Sequence, residues 1–359
     1  MNITQQTDIN KWWEERESPL LIAGPCSAEN EKQVLDTARK IAKSGQATIF
    51  RAGVWKPRTR PGTFEGIGVP ALPWMQKVKK ETGLMVSTEV ASAYHIEQAL
   101  KHDIDILWVG ARTTVNPFLV QELAEALRGV DIPIFVKNPI HAEVALWDGA
   151  IERFAKVGVK KIGAIHRGFF SSNPAPFRNI PSWELAIEMM RINPEIPIIN
   201  DPSHIAGRSD LIESLCQTSL DLNFDGFIVE THNNPKIALS DAKQQVTPEH
   251  LEQIMNNLLL KPETKTDQEY LIGLNELRKK LNTIDSEFLN VLSKRVEAVN
   301  NIENFKSKNK VSAFEIGRLK EILESRALNG EKLGLNKNLV EDIYKSLFRN
   351  SFNMKIDKK

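Results

Sequence analysis

Apolar positions follow two rhythms along this chain, and the rhythm changes once. Over the first 260 residues, short β-rich runs alternate with segments of helical spacing. The runs are LLIAGPC (20–26), ATIFRAG (47–53), GLMVSTEV (83–90), ILWVGA (106–111), PIFVKN (133–138), KKIGAIHRG (160–168), PIINDPSH (197–204) and GFIVETH (226–232). Most are apolar throughout instead of alternating, as parallel strands covered on both faces should be. Between them, EKQVLDTARKIAKSG and NPFLVQELAEALRG repeat apolar residues every three or four positions. Eight such units in about 250 residues predict an α/β fold, a (β/α)8 TIM barrel and not an open sheet.

After residue 270 no strand pattern remains. Leu274, Leu277, Leu281, Ile284, Phe288, Val291, Ala298, Ile302 and Phe305 step by three and four, which predicts one long amphipathic helix. Two more helical stretches, about 313–328 and 337–355, are separated by NGEKLGLN. The expected domains are a barrel over 1–260, a charged linker over 261–269 and an all-α three-helix unit over 270–359.

Composition narrows the function classes. The 359 residues are 41% hydrophobic and 26% charged, with a formal net charge of +1. That balance gives no pull toward nucleic acid or an anionic membrane. No apolar run approaches the roughly 20 residues of a membrane span. The opening segment MNITQQTDINKWWEERE lacks the apolar core of a signal peptide. Two cysteines cannot build a disulfide framework, so a reducing cytoplasm is expected.

In TIM-barrel enzymes the active site lies at the C-terminal ends of the strands. Those ends carry Cys26, Arg51 followed by Lys56, Glu89, Arg112, Lys137, Arg167, Asp201 with His204, and Glu230. One subset, Cys26, His204, Glu230 and the following Asp241, combines a soft sulfur, an imidazole and two carboxylates. Such a set suits a borderline divalent ion: Mn²⁺, Fe²⁺, Co²⁺ or Zn²⁺. The competing reading makes Cys26 a small buried hydrophobe. The other subset is cationic: Arg51, Lys56, Arg58, Arg112, Lys137 and Arg167. Arginine forks suit phosphate and carboxylate, whereas the competing reading is a solvated rim. A site reading calls for small, multiply anionic, phosphorylated substrates.

In order and spacing, GPCS, FRAGVWKPRT, VGART, VKN, DPSH, VETH and SDAKQ resemble the metal-dependent 3-deoxy-D-arabino-heptulosonate-7-phosphate (DAHP) synthases over about residues 20–250. The resemblance implies condensation of phosphoenolpyruvate with erythrose 4-phosphate, the entry to the shikimate pathway. It implies Cys26, His204, Glu230 and Asp241 as ligands of one divalent ion, Mn²⁺ first. It also implies Arg112, Lys137 and Arg167, with Arg51 beside them, around phosphoenolpyruvate. Lys56, Pro57, Arg58 and Thr59 would hold erythrose 4-phosphate, with Lys56 as general acid. A sister family, the 3-deoxy-D-manno-octulosonate-8-phosphate synthases, typically has Lys-Ala-Asn-Arg at that last position, so the four-carbon sugar is expected. VKNP and IHRGF depart from common family forms but keep their cations.

The tail poses a separate question. Arg295 falls on the apolar seam, either snorkelling outward or serving a pocket. Lys306 follows by eleven residues, on nearly the same face and about 16 Å further along a helix. Arg278 is seventeen residues earlier, about 25 Å away, within reach of an equivalent pocket in a second chain. LRKKLNTIDSEFLNVLSKR resembles the first helix of the all-helical chorismate mutases, and the likeness extends over about 270–356. It implies that Arg278, Arg295, Lys306, Glu315, Arg318, Ser351 and Lys355 bind chorismate, with Lys306 and Lys355 supporting the rearrangement to prephenate without a cofactor. Leu319 stands where relatives often have glutamate, and Lys355 where glutamine or glutamate is common. Three expectations follow for the tail: a mutase, a chorismate- or prephenate-sensing dimerisation module that inhibits the barrel, or a structural hairpin. The first is favoured, with a homodimer formed through the helices.

Overall fold

The computed structural model describes residues 19–56, 62–172, 174–260, 268–312 and 316–353, apart from the side chains of 316 and 350–353. The chain divides into two compact units, 1–261 and 262–359. The expected linker falls almost wholly outside the described residues.

In the first unit, eight parallel strands close into a barrel in sequence order. They are β1 (Leu20–Gly24), β2 (Ile49–Arg51), β3 (Met85–Val90), β4 (Ile106–Val109), β5 (Ile134–Lys137), β6 (Ile162–His166), β7 (Ile198–Asn200) and β8 (Gly226–Glu230). The helices of this unit are α1 (Glu31–Ser44), α2 (Leu72–Thr82), α3 (Ala93–Lys101), α4 (Ala111–Thr114), α5 (Pro117–Ala126), α6 (Val144–Lys156), α7 (Trp183–Ile192), α8 (Pro202–Ala206), α9 (Ile212–Asp221) and α10 (Pro248–Asn257).

The continuous apolar runs conceal a strict alternation. Leu20, Ile22, Ile49, Ile106, Trp108, Phe135, Ile165, Ile199 and Ile228 fill the barrel interior. Leu21, Ala23, Phe50, Leu107, Val136, Ala164 and Val229 face the helical layer instead. Both sets are buried, so polar residues do not alternate with apolar ones to mark the period. Phe135 fits because its neighbour in register is Gly163, where a Cβ would overlap the ring.

Every strand is shorter than the run that announces it. The expected strand 197–204 ends at Asn200, because Asp201 caps α8 by accepting from His204 N and Pro202 occupies the first helical turn. ILWVGA likewise leaves the sheet after Val109, and α4 starts at Ala111. Cys26, Lys56, Arg112, Arg167, Asp201 and His204 therefore sit on loops and first helical turns above the barrel, while Arg51, Glu89, Lys137 and Glu230 stay in the ladder at the strand ends.

Among the described residues the second unit has three helices, α11 (Gln268–Lys308), α12 (Ile316–Lys332) and α13 (Lys337–Asn353). At 1.5 Å per residue α11 is about 60 Å long. Helices α12 and α13 pack through the buried Ala327 and Val340, with Gly330 leaving room for the Val340 side chain. Helix α11 has no buried residue. Leu277, Leu281, Ile284, Phe288, Val291, Ile302 and Phe305 are all exposed, Phe305 to 70%. No helix among the described residues is long and apolar enough to cross a membrane.

Candidate active site at the barrel mouth

Strand register begins the assembly. Gly24 of β1 pairs with Glu230, the last residue of β8, which places Cys26 beside the Glu230 carboxylate. Gly24 adopts φ +149°, and a Cβ there would strike the backbone of Arg51. Asp241 arrives from the loop after β8. That loop is stitched down by Cys26 N donating to Gln245 Oε1 at 3.0 Å, Gln245 Nε2 donating to Ser240 O at 2.9 Å and Ser240 Oγ against Ser27 Oγ at 2.5 Å.

The result is a tight group. One ligand atom each from Cys26, Glu230 and Asp241 lies within 4.8 Å of the others. Cys26 Sγ is 3.5 Å from Asp241 Oδ2. His204, on α8, presents Nε2 to Glu230 Oε1 at 3.7 Å while its Nδ1 lies 2.8 Å from Asp201 Oδ2. Glu230 Oε1 is fully buried and accepts no hydrogen bond. The other oxygen is occupied: Gln244 Nε2 donates to Oε2 at 2.7 Å. A sulfur and two carboxylates brought together, one with an orphaned oxygen, and an imidazole nitrogen beside that oxygen but outside the tight group, fit a borderline divalent ion.

Above this group opens a cavity of about 430 Å³ lined by Lys56, Thr63, Glu89, Gly110, Ala111, Arg112, Lys137, Arg167, Arg178, His204, Leu239, Ser240 and Asp241. Four of the expected cations, Lys56, Arg112, Lys137 and Arg167, meet there. Arg51 does not reach the cavity wall. It is 1% exposed, donates from Nη2 to Cys26 O at 3.1 Å, faces Glu230 Oε1 at 3.5 Å and lies over the Trp108 ring at 4.8 Å. Pro57, Arg58 and Thr59 lie outside the described residues.

Electrostatics follow from burial and these neighbours. Burial, with Glu230 next and Asp241 also nearby, pushes the Cys26 thiol up to about 12. Burial would raise Glu230, but His204 and Arg51 outweigh it and hold the carboxyl below its usual range. Asp241 is likewise driven down, with His204, Arg178 and Lys56 overcoming burial. Burial lowers Arg167 to about 10. Lys56 is held above its usual value, because Cys26, Glu89 and Glu230 overcome burial.

Sequence reasoning missed Arg178, a fifth cavity cation. It donates from Nη1 to Gln244 Oε1 at 2.6 Å and to Asp241 Oδ1 at 3.2 Å. It sits in an irregular loop, APFRNIP, away from any strand end, so no periodicity points to it. Gln244 is equally hidden. Its SDAKQ neighbourhood points only to Asp241.

Residues 3–265 match the family model of the DAHP synthetase I family. The chain belongs to the DAHP synthetase I family. Behind that barrel, residues 277–355 match chorismate mutase type II, so both enzyme domains are present. A phospho-2-dehydro-3-deoxyheptonate aldolase of Thermotoga maritima is 29% identical over 238 residues, covering 66% of this chain and 68% of that protein. A 2-dehydro-3-deoxyphosphooctonate aldolase of Variovorax paradoxus is 27% identical over 266 residues, covering 67% and 88%. The crystal structure of a Thermotoga maritima DAHP synthase superposes with a TM-score of 0.59 at 28% identity, covering 66% of this chain and 67% of that one.

In the chorismate mutase domain the expected residues are spread along the helices. Arg295 is half-buried, its guanidinium 5.8 Å from the Tyr344 ring centroid. Lys306 lines a second cavity of about 500 Å³ with Asn301, Ile302, Phe305, Asn309 and Val311. Arg278, Arg295 and Arg318 are not in that lining. Arg318 is exposed and pairs with Glu321 at 2.7 Å. Ser351 lies on α13, with its side chain outside the description, and Glu315 and Lys355 lie outside the described residues.

Proposed function

We propose that this chain is a metal-dependent DAHP synthase whose helical domain is a chorismate mutase and a feedback sensor for the barrel. The observation that carries the barrel reading is the convergence of four expected cations and Arg178 directly above the Cys26–Glu230–Asp241 group. Two phosphorylated substrates with a carboxylate between them match that charge. In this reading Cys26, His204, Glu230 and Asp241 hold one divalent ion, Mn²⁺ in the first instance. When bound, the ion supplies Lewis acidity and charge neutralisation at the sugar aldehyde.

The chain's own residues do the rest. Arg112, Lys137 and Arg167 grip phosphoenolpyruvate, and Arg51 balances charge beneath them. Lys56, Pro57, Arg58 and Thr59 orient erythrose 4-phosphate. Carbon 3 of phosphoenolpyruvate attacks the aldehyde carbon, water adds at carbon 2, and phosphate leaves by C–O cleavage. Lys56 Nζ, which lines the cavity and donates to Cys26 O at 3.2 Å, protonates the new alkoxide. The relatives include both sugar classes, and the Lys-Pro-Arg-Thr sequence at 56–59 favours the four-carbon sugar.

For the tail, we place Arg278 and Arg295 on chorismate carboxylates and Glu315 at its hydroxyl, with Arg318 and Ser351 as further chorismate-binding residues. Lys306 and Lys355 would stabilise charge on the breaking ether oxygen. The exposed apolar face of α11 supports a homodimer in which Arg278 serves the partner's pocket. The domain limits we assign are 1–260 and 270–359. Product assays with full-length protein test both halves. Phosphate release from phosphoenolpyruvate plus erythrose 4-phosphate should vanish with chelator and return with Mn²⁺. Chorismate loss should vanish in Lys306→Ala. Turnover that ignores chelation sinks the metal reading. Absence of mutase turnover in the unmodified chain reduces the tail to the sensing and dimerisation module.

A further inference from the structure

Asp201 touches both halves of the barrel site and belongs to neither ligand set. It lies at the turn from β7 into α8 and is fully buried. Its backbone N donates to His166 O at 2.7 Å, which anchors the turn to β6. Its carboxylate meets three donors. Lys137 Nζ donates to Oδ2 at 2.6 Å, His204 N donates to Oδ1 at 3.2 Å, and His204 Nδ1 lies 2.9 Å from Oδ1 and 2.8 Å from Oδ2.

An ionised carboxylate only accepts, so the His204 proton must sit on Nδ1. Nε2 is then bare and points toward Glu230 Oε1, 3.7 Å away. Imidazoles that ligate metals are commonly oriented this way by a carboxylate on the other nitrogen. The same carboxylate fixes Lys137, which is 5% exposed, lines the cavity and has the Trp108 ring 6.0 Å away on another side.

We propose that Asp201 is a positioning residue shared by the ion half and the anion half of the site. It holds His204 with Nε2 turned to the ion and Lys137 with its ammonium turned to the cavity, so neither half keeps its affinity without it. The proposal rests on the metal and phosphoenolpyruvate reading above. An asparagine here has one acceptor oxygen in place of two. Its amide N–H₂ must face either the Lys137 ammonium or the His204 ring, displacing the first or forcing the second into the tautomer that cannot ligate.

The test uses full-length Asp201→Asn and the unmodified chain, both stripped of metal. Mn²⁺ binding is read from the free-ion paramagnetic resonance signal, and phosphoenolpyruvate binding by titration calorimetry. Tryptophan fluorescence and circular dichroism check the fold. The expected result is an Mn²⁺ affinity weaker by about 10–100-fold together with a phosphoenolpyruvate affinity weaker by about tenfold. A folded variant that keeps either affinity within about threefold overturns the sharing, since the loss expected on removing an orienting carboxylate is then absent from one half. An unmodified chain that binds neither ligand overturns the underlying reading and this inference with it. If the variant fails to fold, ¹⁵N-histidine spectra of the unmodified apoprotein decide, with His204 assigned through His204→Gln. An Nδ1-protonated His204 supports the proposal, and an Nε2-protonated ring refutes it.

Discussion

Replacing Arg51 with methionine should destabilise the metal-free barrel and do so much less when Mn²⁺ is bound. The guanidinium is 1% exposed and sits 3.5 Å from the fully buried Glu230 carboxylate. At an effective dielectric near 20, a charge pair at that separation is worth about 5 kcal/mol. The stacking over Trp108 at 4.8 Å adds about 1–2 kcal/mol. Against this, methionine avoids burying a charge and removes Arg51 Nε and Nη1, neither of which has a hydrogen-bond acceptor. The net loss should be about 3–5 kcal/mol, the range for breaking one side of a buried pair. A bound divalent ion compensates Glu230 in place of the guanidinium, so saturating Mn²⁺ should recover most of the loss. Urea unfolding followed by tryptophan fluorescence measures this cleanly, because all seven tryptophans precede residue 261. A loss below about 1 kcal/mol in chelator, or one unchanged by Mn²⁺, would refute the charge-balance argument.

Burial lowers His166 from 6.5 to about 4, so the folded protein keeps it neutral while the unfolded chain binds a proton. Its contribution is fully present above pH 6.5 and is lost as pH falls toward 4, amounting to about 3 kcal/mol. In His166→Gln the unfolding midpoint should fall less steeply over that window, and an unchanged slope would count against it. Glutamates at Leu281 and Phe288 should convert a dimer to monomer in analytical ultracentrifugation, since both lie on the exposed α11 face. Prephenate should inhibit phosphate release by the full chain but not by a chain lacking residues 262–359. Equal inhibition of both would remove the tail from regulation.

Sequence alone determined the architecture. Eight apolar runs spaced by amphipathic segments leave little but a closed parallel barrel, and three-and-four spacing after residue 270 leaves little but helices. It also singled out strand ends whose side chains meet around one mouth, because barrel topology sends all those ends to one face. Cys26, Lys137, Arg167, His204 and Glu230 could be named that way. Arg178 and Gln244 could not. They come from irregular loops, where no period links position to direction, and only the folded loops bring them to Asp241 and Glu230. Arg51 shows the converse: its strand-end position was legible, but its burial under the cavity depended on the Trp108 ring and the close approach of Gly24. The double duty of Asp201 was hidden for the same reason. Lys137 and His204 lie 64 and three residues away from it, and hydrogen-bond partners across a barrel are set by closure of the sheet, not by local spacing. In the tail, sequence showed an apolar stripe on α11. The tertiary structure left that stripe exposed, while α12 and α13 pack against each other through Ala327 and Val340.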